Sequence, residues 1–422
     1  MSRMAEENST APLLAIHVPA RLTFAGLVGG LIVGLVLRGS DSGVLAPIVA
    51  VAEAIGSLWL RALQMTIVPL VAALLFTGIV RTVAAAQAGA MARRTLGLFA
   101  AILAAGSVLA VVAMPLLLQV APIPAKAVAA LGGMAAEPPG PVPGLVDFVS
   151  SLIPANIVAA AAGDAMVPLI VFIALFALAT TRLAEAPRRQ LALLFEGLGG
   201  AMIVVIGWVL MLAPIGVFAL ALAVAANSGG AAIGALVHYI VLVSAMGLAV
   251  LIGAYLLAVT AAGRRLRDFA GAVLPAQAVA LSTQSSLASL PAMIAACRQL
   301  NVRETSADFV LPLAVALFRA TSPAMNLAVV IYAAALTGIE LTPIAFAAGL
   351  GVALLTTIGS VSLPGTISFI ASTGPVAIAL GVPLEPLALL VAVEMLPDLV
   401  RTVGNVTMNV AVTATVDRRE TP

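Results

Sequence analysis

The stretch ALSTQSSLASLPAMIAA, Ala280 to Ala296, sets Ser282, Thr283, Gln284, Ser285, Ser286 and Ser289 into an apolar chain and closes the run with Leu290-Pro291. Further on, LTTIGSVSLPGTISF, Leu355 to Phe369, repeats the arrangement and closes with Leu363-Pro364. The whole chain is 62% hydrophobic and 9% charged, with a mean hydropathy of +1.19. A water-facing surface needs far more charge than that. The sequence therefore reads as an all-α polytopic membrane protein, and both polar runs lie at membrane depth.

Unwound backbone in lipid leaves N–H and C=O groups without partners, at several kcal/mol for each group. It persists only inside protein or beside a water-filled cavity. An isolated serine bonds back to its own helix. Two matched runs in corresponding parts of two halves instead point to a transporter's binding site near the bilayer midplane. The two units are a hairpin plus a helix each, 268–298 with 304–337 and 341–376 with 381–415.

A membrane span takes roughly 20 apolar residues, which predicts helices near 22–38, 46–80, 95–121, 146–182, 191–224 and 231–262. Threading from a cytoplasmic N-terminus puts Arg81, Arg93, Arg94, Arg182, Arg188, Arg189, Arg264, Arg265, Arg267, Arg298, Arg303, Arg418 and Arg419 on one side. Arg38 and Lys126 fall on the other. The asymmetry supports cytoplasmic termini, provided that each polar run enters and leaves on the same side as a re-entrant hairpin. The same placement argues against nucleic acid as a partner, despite a net charge of +2. No removable signal peptide is read in the N-terminus.

Chemistry by thiol or zinc is excluded by a single cysteine, Cys297, with no Cys/His ligand spacing. No metal site and no cofactor are expected. An intramembrane hydrolase needs a base near a serine, and His17, His238 and Lys126 all thread away from the hairpin tips. The polar chemistry gathers instead in LLVAVEMLPDLVRTVGNVTMNVAV, Leu389 to Val412. Glu394, Asp398, Arg401, Thr402, Asn405 and Asn409 are spaced 4, 3, 1, 3 and 4, along one helical face. An ionised group at the bilayer centre costs about 3 kcal/mol on insertion scales, so such residues are paired and functional.

SSLASLP (285–291), IGSVSLPG (358–365) and DLVRTVGN (398–405) together resemble the glutamate transporter family of dicarboxylate/amino acid:cation symporters. APIGVFAL (213–220), IPAN and GDAMVPLIVFIALFALA within 153–179 extend the resemblance over nearly the whole chain. It implies eight transmembrane helices plus two re-entrant hairpins in inverted repeats. It also implies a homotrimer in an inner membrane and a transport domain that moves, elevator-like, against a scaffold.

The implied division is 1–21 cytoplasmic, 22–262 six transmembrane helices, 263–303 hairpin 1, 304–337 helix seven, 338–376 hairpin 2, 377–415 helix eight and 416–422 cytoplasmic. By position, Asp398 receives a substrate ammonium and Arg401 clamps a side-chain carboxylate through its planar fork. Thr402 and Asn405 bond the remainder, and Ser285, Ser286, Ser322, Leu363 and Gly365 complete the pocket.

The chain departs from the resemblance where sodium-coupled members carry N-M-D-G-T, since Phe318 to Ser322 read FRATS. Hard cations take several oxygen ligands. Phe318 and Ala320 supply none from their side chains. Asn409 replaces an acidic residue, Phe99, Ile102 and Leu103 replace a tyrosine and hydroxyl cluster, and Asn326 replaces the carboxylate of potassium-countertransporting relatives. Arg319 is then expected to act as a tethered cation facing Glu394, Asp398 or the substrate.

The sequence reads as a secondary transporter of the acidic amino acids aspartate and glutamate, coupled to protons or exchanging rather than using sodium. A C4-dicarboxylate:proton symporter, an anion channel and a transport-dead receptor are the alternatives.

Overall fold

The computed structural model describes residues 20–38, 45–87, 89–125, 128, 150, 152–163, 165–228, 231–359 and 365–420. Among them every regular element is a helix. In chain order these are α1 (Ala20–Arg38), α2 (Leu45–Gln64), α3 (Ile67–Ala86), α4 (Ala90–Val120), α5 (Ile157–Ala162), α6 (Met166–Thr180), α7 (Glu185–Met211), α8 (Ala213–Ser228) and α9 (Ala231–Thr260). Then follow α10 (Leu266–Thr283), α11 (Leu290–Gln299), α12 (Glu304–Leu317), α13 (Ser322–Thr337), α14 (Pro343–Gly359), α15 (Gly365–Ala379), α16 (Glu385–Leu390) and α17 (Met395–Glu420).

Among the described residues, six segments are long and apolar enough to cross a membrane: Arg21–Arg38, Ala46–Ala86, Ala90–Val120, Glu185–Met211, Ile233–Thr260 and Glu304–Thr337. Large apolar side chains such as Leu22, Leu58, Trp208, Val241 and Leu256 point outward. In water such a surface would aggregate; in a bilayer it is the solvated face.

Several helices are shorter than the hydrophobic pattern predicts, because a count of about 20 apolar residues does not register a local break in the backbone. The segment read as 146–182 is divided into α5 and α6: the Asn156 side chain caps α5 by accepting from Val158 N (2.9 Å) and Ala159 N (3.2 Å), and Gly163 follows its end. The segment read as 191–224 turns at Leu212 before Pro214, which has no N–H to continue the ladder. Glu304–Thr337 is interrupted at Phe318, which is extended. The last segment, read as 381–415, is divided by the turn 391–394 just before Pro397.

Close packing of α1 on α8 follows from a repeat of small residues. Gly26, Gly30 and Gly34 recur every fourth position, and a methyl at each would overlap the backbone carbonyl oxygen of Pro214, Phe218 or Leu222 respectively. Small residues at this spacing let membrane helices pack backbone to backbone. Gly30→Leu is therefore expected to lower the thermal unfolding temperature by several degrees, whereas Gly97→Ala, with nothing within 4 Å, leaves it nearly unchanged. Thermal unfolding in detergent checks this, and equal effects would contradict the packing.

α10 and α11 pack against each other, as do α14 and α15. α10, α11 and α12 enclose α17 in a core that includes Phe269, Met293, Val310 and Val410. The far end of α17 is fastened to α12: Arg303 Nε and Ser306 Oγ donate to Asp417 Oδ1 at 2.7 and 2.8 Å. α17 is thus held at its end, and its first turns lie against α9 and the start of α13.

Candidate functional site

The turn 391–394 delivers Glu394 to the start of α17, and the next turns carry Asp398 and Arg401. These three side chains are almost wholly removed from solvent, at 1%, 3% and 3% exposure. Burial of that degree is sustained only by pairing. Arg401 Nη2 donates to Glu394 Oε1 at 2.8 Å, Nη1 donates to Asn326 Oδ1 at 2.9 Å, and Nε lies 3.4 Å from Asp398 Oδ1. The other Glu394 oxygen, Oε2, accepts from the Tyr239 hydroxyl of α9 at 2.7 Å.

Arg319, half-buried in the break between α12 and α13, lies within electrostatic reach of Asp398 and Arg401. Asp398 thus faces two guanidiniums. Taken at their formal charges, Glu394, Asp398, Arg401 and Arg319 sum to zero. The site is balanced by the protein's own residues before any ion or substrate is added.

Breaking a helix at Phe318 frees backbone groups at membrane depth, and α17 satisfies one of them. Asn405 Oδ1 accepts from both Thr321 N and Thr321 Oγ1 at 2.9 Å. Asn405 therefore holds the break open rather than only facing a pocket. Thr402 Oγ1 donates to the Asp398 carbonyl at 2.9 Å, which leaves its oxygen lone pairs available as acceptors.

Further along α17, Asn409 Nδ2 lies 3.9 Å from Met293 Sδ, and its Oδ1 is buried without a hydrogen-bond partner. Beside this level Phe99 and Phe318 stack with centroids 4.2 Å apart and planes 3° from parallel. Leu103 is buried in the same core. An aromatic stack and a lone amide thus share this core with Leu103.

The serines of the first polar run form a turn from Gln284, whose φ of 51° is left-handed, to Ser289. Ser285 Oγ accepts from Ala288 N at 3.2 Å, and Ser289 Oγ donates to Ser285 O at 2.9 Å. Ser286 is half-buried, and Ser322 is buried at the start of α13. None of the hydrogen bonds described here ties Ser285 or Ser286 to Arg401. Leu363 lies outside the described residues, and Gly365 begins α15.

Sequence reading missed Tyr239, the Arg401-holding role of Asn326, and Thr321. Tyr239 carried one usable signal, because the chain has only 3 tyrosines and this one sits in an apolar span. His238 Nε2 is 3.0 Å from Ala121 O and Nδ1 is 3.3 Å from the Tyr332 hydroxyl oxygen, so it activates no serine here.

Residues 20–419 match the sodium:dicarboxylate symporter family. The chain is 27% identical to the proton/glutamate-aspartate symporter of Escherichia coli (strain K12) over 63% of this chain and 60% of that protein. It is 26% identical to the proton/sodium-glutamate symport protein of Bacillus subtilis (strain 168), over 92% of this chain and 89% of that protein. It is 25% identical to the C4-dicarboxylate transport protein of Laribacter hongkongensis (strain HLHK9), over 65% and 62%.

Proposed function

Because the chain belongs to the sodium:dicarboxylate symporter family, whose members are transporters and not enzymes, we propose that it carries an acidic amino acid across the membrane by alternating access without sodium. The observation that carries this reading is the buried Arg401 fork, shared among Glu394, Asp398 and Asn326. In this reading the substrate's side-chain carboxylate takes the place of Glu394 on Arg401. Glu394 is then left with only the Tyr239 hydroxyl in a site that excludes water. An unpaired carboxylate there is strongly unfavourable, so it takes up a proton. Substrate and proton thereby move together, in keeping with the relative named a proton/glutamate-aspartate symporter, while the Bacillus subtilis relative is named for both proton and sodium.

Arg319 acts as the tethered cation beside Asp398. The α10–α11 and α14–α15 pairs are the two re-entrant hairpins that close over the substrate, and Ser286 and Ser322 line it. Three copies assemble in the inner membrane with cytoplasmic termini, and the hairpins move with α12, α13, α17 and part of 22–262 against a scaffold made of the rest of 22–262.

A C4-dicarboxylate is the second reading, favoured by one observation: Asp398 already faces two guanidiniums, which weakens its call on a substrate ammonium. Competition against labelled aspartate by unlabelled aspartate and succinate decides between them. Asp398→Ala is expected to weaken aspartate at least tenfold more than succinate. Equal losses would make the substrate an anion without an amine.

A further inference from the structure

We propose that Asn326 is itself a substrate ligand, its amide Nδ2 donating to the carboxylate that Arg401 receives. The inference rests on the reading of Arg401 above. Asn326 is fully buried on α13, about one turn beyond the break at Phe318–Thr321. Its Oδ1 accepts from Arg401 Nη1 at 2.9 Å. A guanidinium has donors and no acceptor, so turning the amide over would set two donors against each other. The orientation is therefore fixed by Arg401, and Nδ2 is left as a donor beside the fork.

That Nδ2 has no hydrogen-bond partner. Buried amide donors without partners are rare in native proteins, and each requires a physical reason. A ligand that accepts supplies one. Oδ1 and Nδ2 belong to one planar amide, so the orphaned donor lies next to the Arg401 fork and both can reach a single carboxylate. The amide also suits the charge balance of the site. It attracts an anion without adding a charge, whereas a carboxylate at this position would compete with the substrate for Arg401.

The test is equilibrium binding of labelled aspartate and succinate to the purified full-length protein across a range of pH. Asn326→Asp keeps the oxygen that holds Arg401 and replaces the donor with an anionic oxygen. Affinity is expected to fall about tenfold to a hundredfold at neutral pH, the range for a lost hydrogen bond to a charged group. On acidification the ratio of variant to wild-type affinity recovers, because a protonated carboxyl donates from the same place. Because an aspartate also competes with the substrate for Arg401, the charge-free Asn326→Leu is measured beside it, and wild-type affinity in either variant across the pH range overturns the proposal.

If Asn326→Asp does not fold, Asn326→Leu, of similar volume, is measured by the thermal shift that aspartate and succinate produce. Loss of the shift supports the assignment; a wild-type shift overturns it. Arg401→Ala in the same assay separates the two levels. Wild-type affinity in Arg401→Ala refutes the reading of the site, whereas loss there with full affinity in Asn326→Asp refutes only the role of Asn326.

Discussion

Arg401→Ala is expected to abolish detectable binding of aspartate, glutamate and succinate. Arg401 is 3% exposed, and its fork reaches Glu394 at 2.8 Å and Asn326 at 2.9 Å. Removing one partner of a buried ion pair costs about 3–5 kcal/mol, because the other charge is left uncompensated. Each factor of ten corresponds to about 1.4 kcal/mol, so affinity falls by roughly two to three and a half orders of magnitude. The substitution also strands Glu394 and Asp398, so the empty protein is less stable. Arg401→Lys isolates the recognition effect: it keeps the charge and loses the planar fork, and it is expected to fold while still losing most of the affinity. Wild-type affinity in a folded Arg401→Ala protein would remove Arg401 from the binding site.

Arg319→Met is expected to lower affinity at least tenfold with no recovery on adding sodium. The methionine restores the residue type that the resemblance places there, but not the oxygens of a cation site. Phe318 still stacks on Phe99 at 4.2 Å, Ala320 still lacks a polar atom, and Asn409 still lacks a charge. Losing Arg319 takes one of two guanidiniums away from Asp398 and turns the balanced site negative, which opposes an anionic substrate. Binding titrations of the variant with and without sodium check this. Full activity of Arg319→Met, or its rescue by sodium, would contradict the tethered-cation role.

The membrane class was legible in composition, and the polar stripe of the final helix in spacing, because both are one-dimensional signals. The interruptions were less so. Arg319, Thr321 and Ser322 mark a polar spot in the Glu304–Thr337 segment but do not by themselves encode an unwound backbone, and the turn 391–394 is made of Val391, Ala392, Val393 and Glu394, mostly good membrane residues. What sustains the first break is Asn405, bonded to Thr321 from a helix 84 residues away in sequence. No local propensity encodes that. The site followed the same division. Glu394, Asp398 and Arg401 stood out as charges in an apolar span, whereas Tyr239 reaches Glu394 across 155 residues and Asn326 reaches Arg401 across 75. Residues 360–364, Leu363 among them, lie outside the described residues.

Sodium independence is proposed from Phe318, Ala320 and Asn409, none of which brings a carboxylate, and from a site whose formal charges cancel. The most direct test is the initial rate of labelled aspartate uptake into liposomes containing the wild-type protein, measured as choline replaces sodium at constant ionic strength and with succinate run in parallel. The rate and the apparent affinity are expected to stay constant to within a factor of two, while an inward proton gradient or internal unlabelled substrate accelerates uptake. A steep rise of rate or affinity with sodium would contradict the claim.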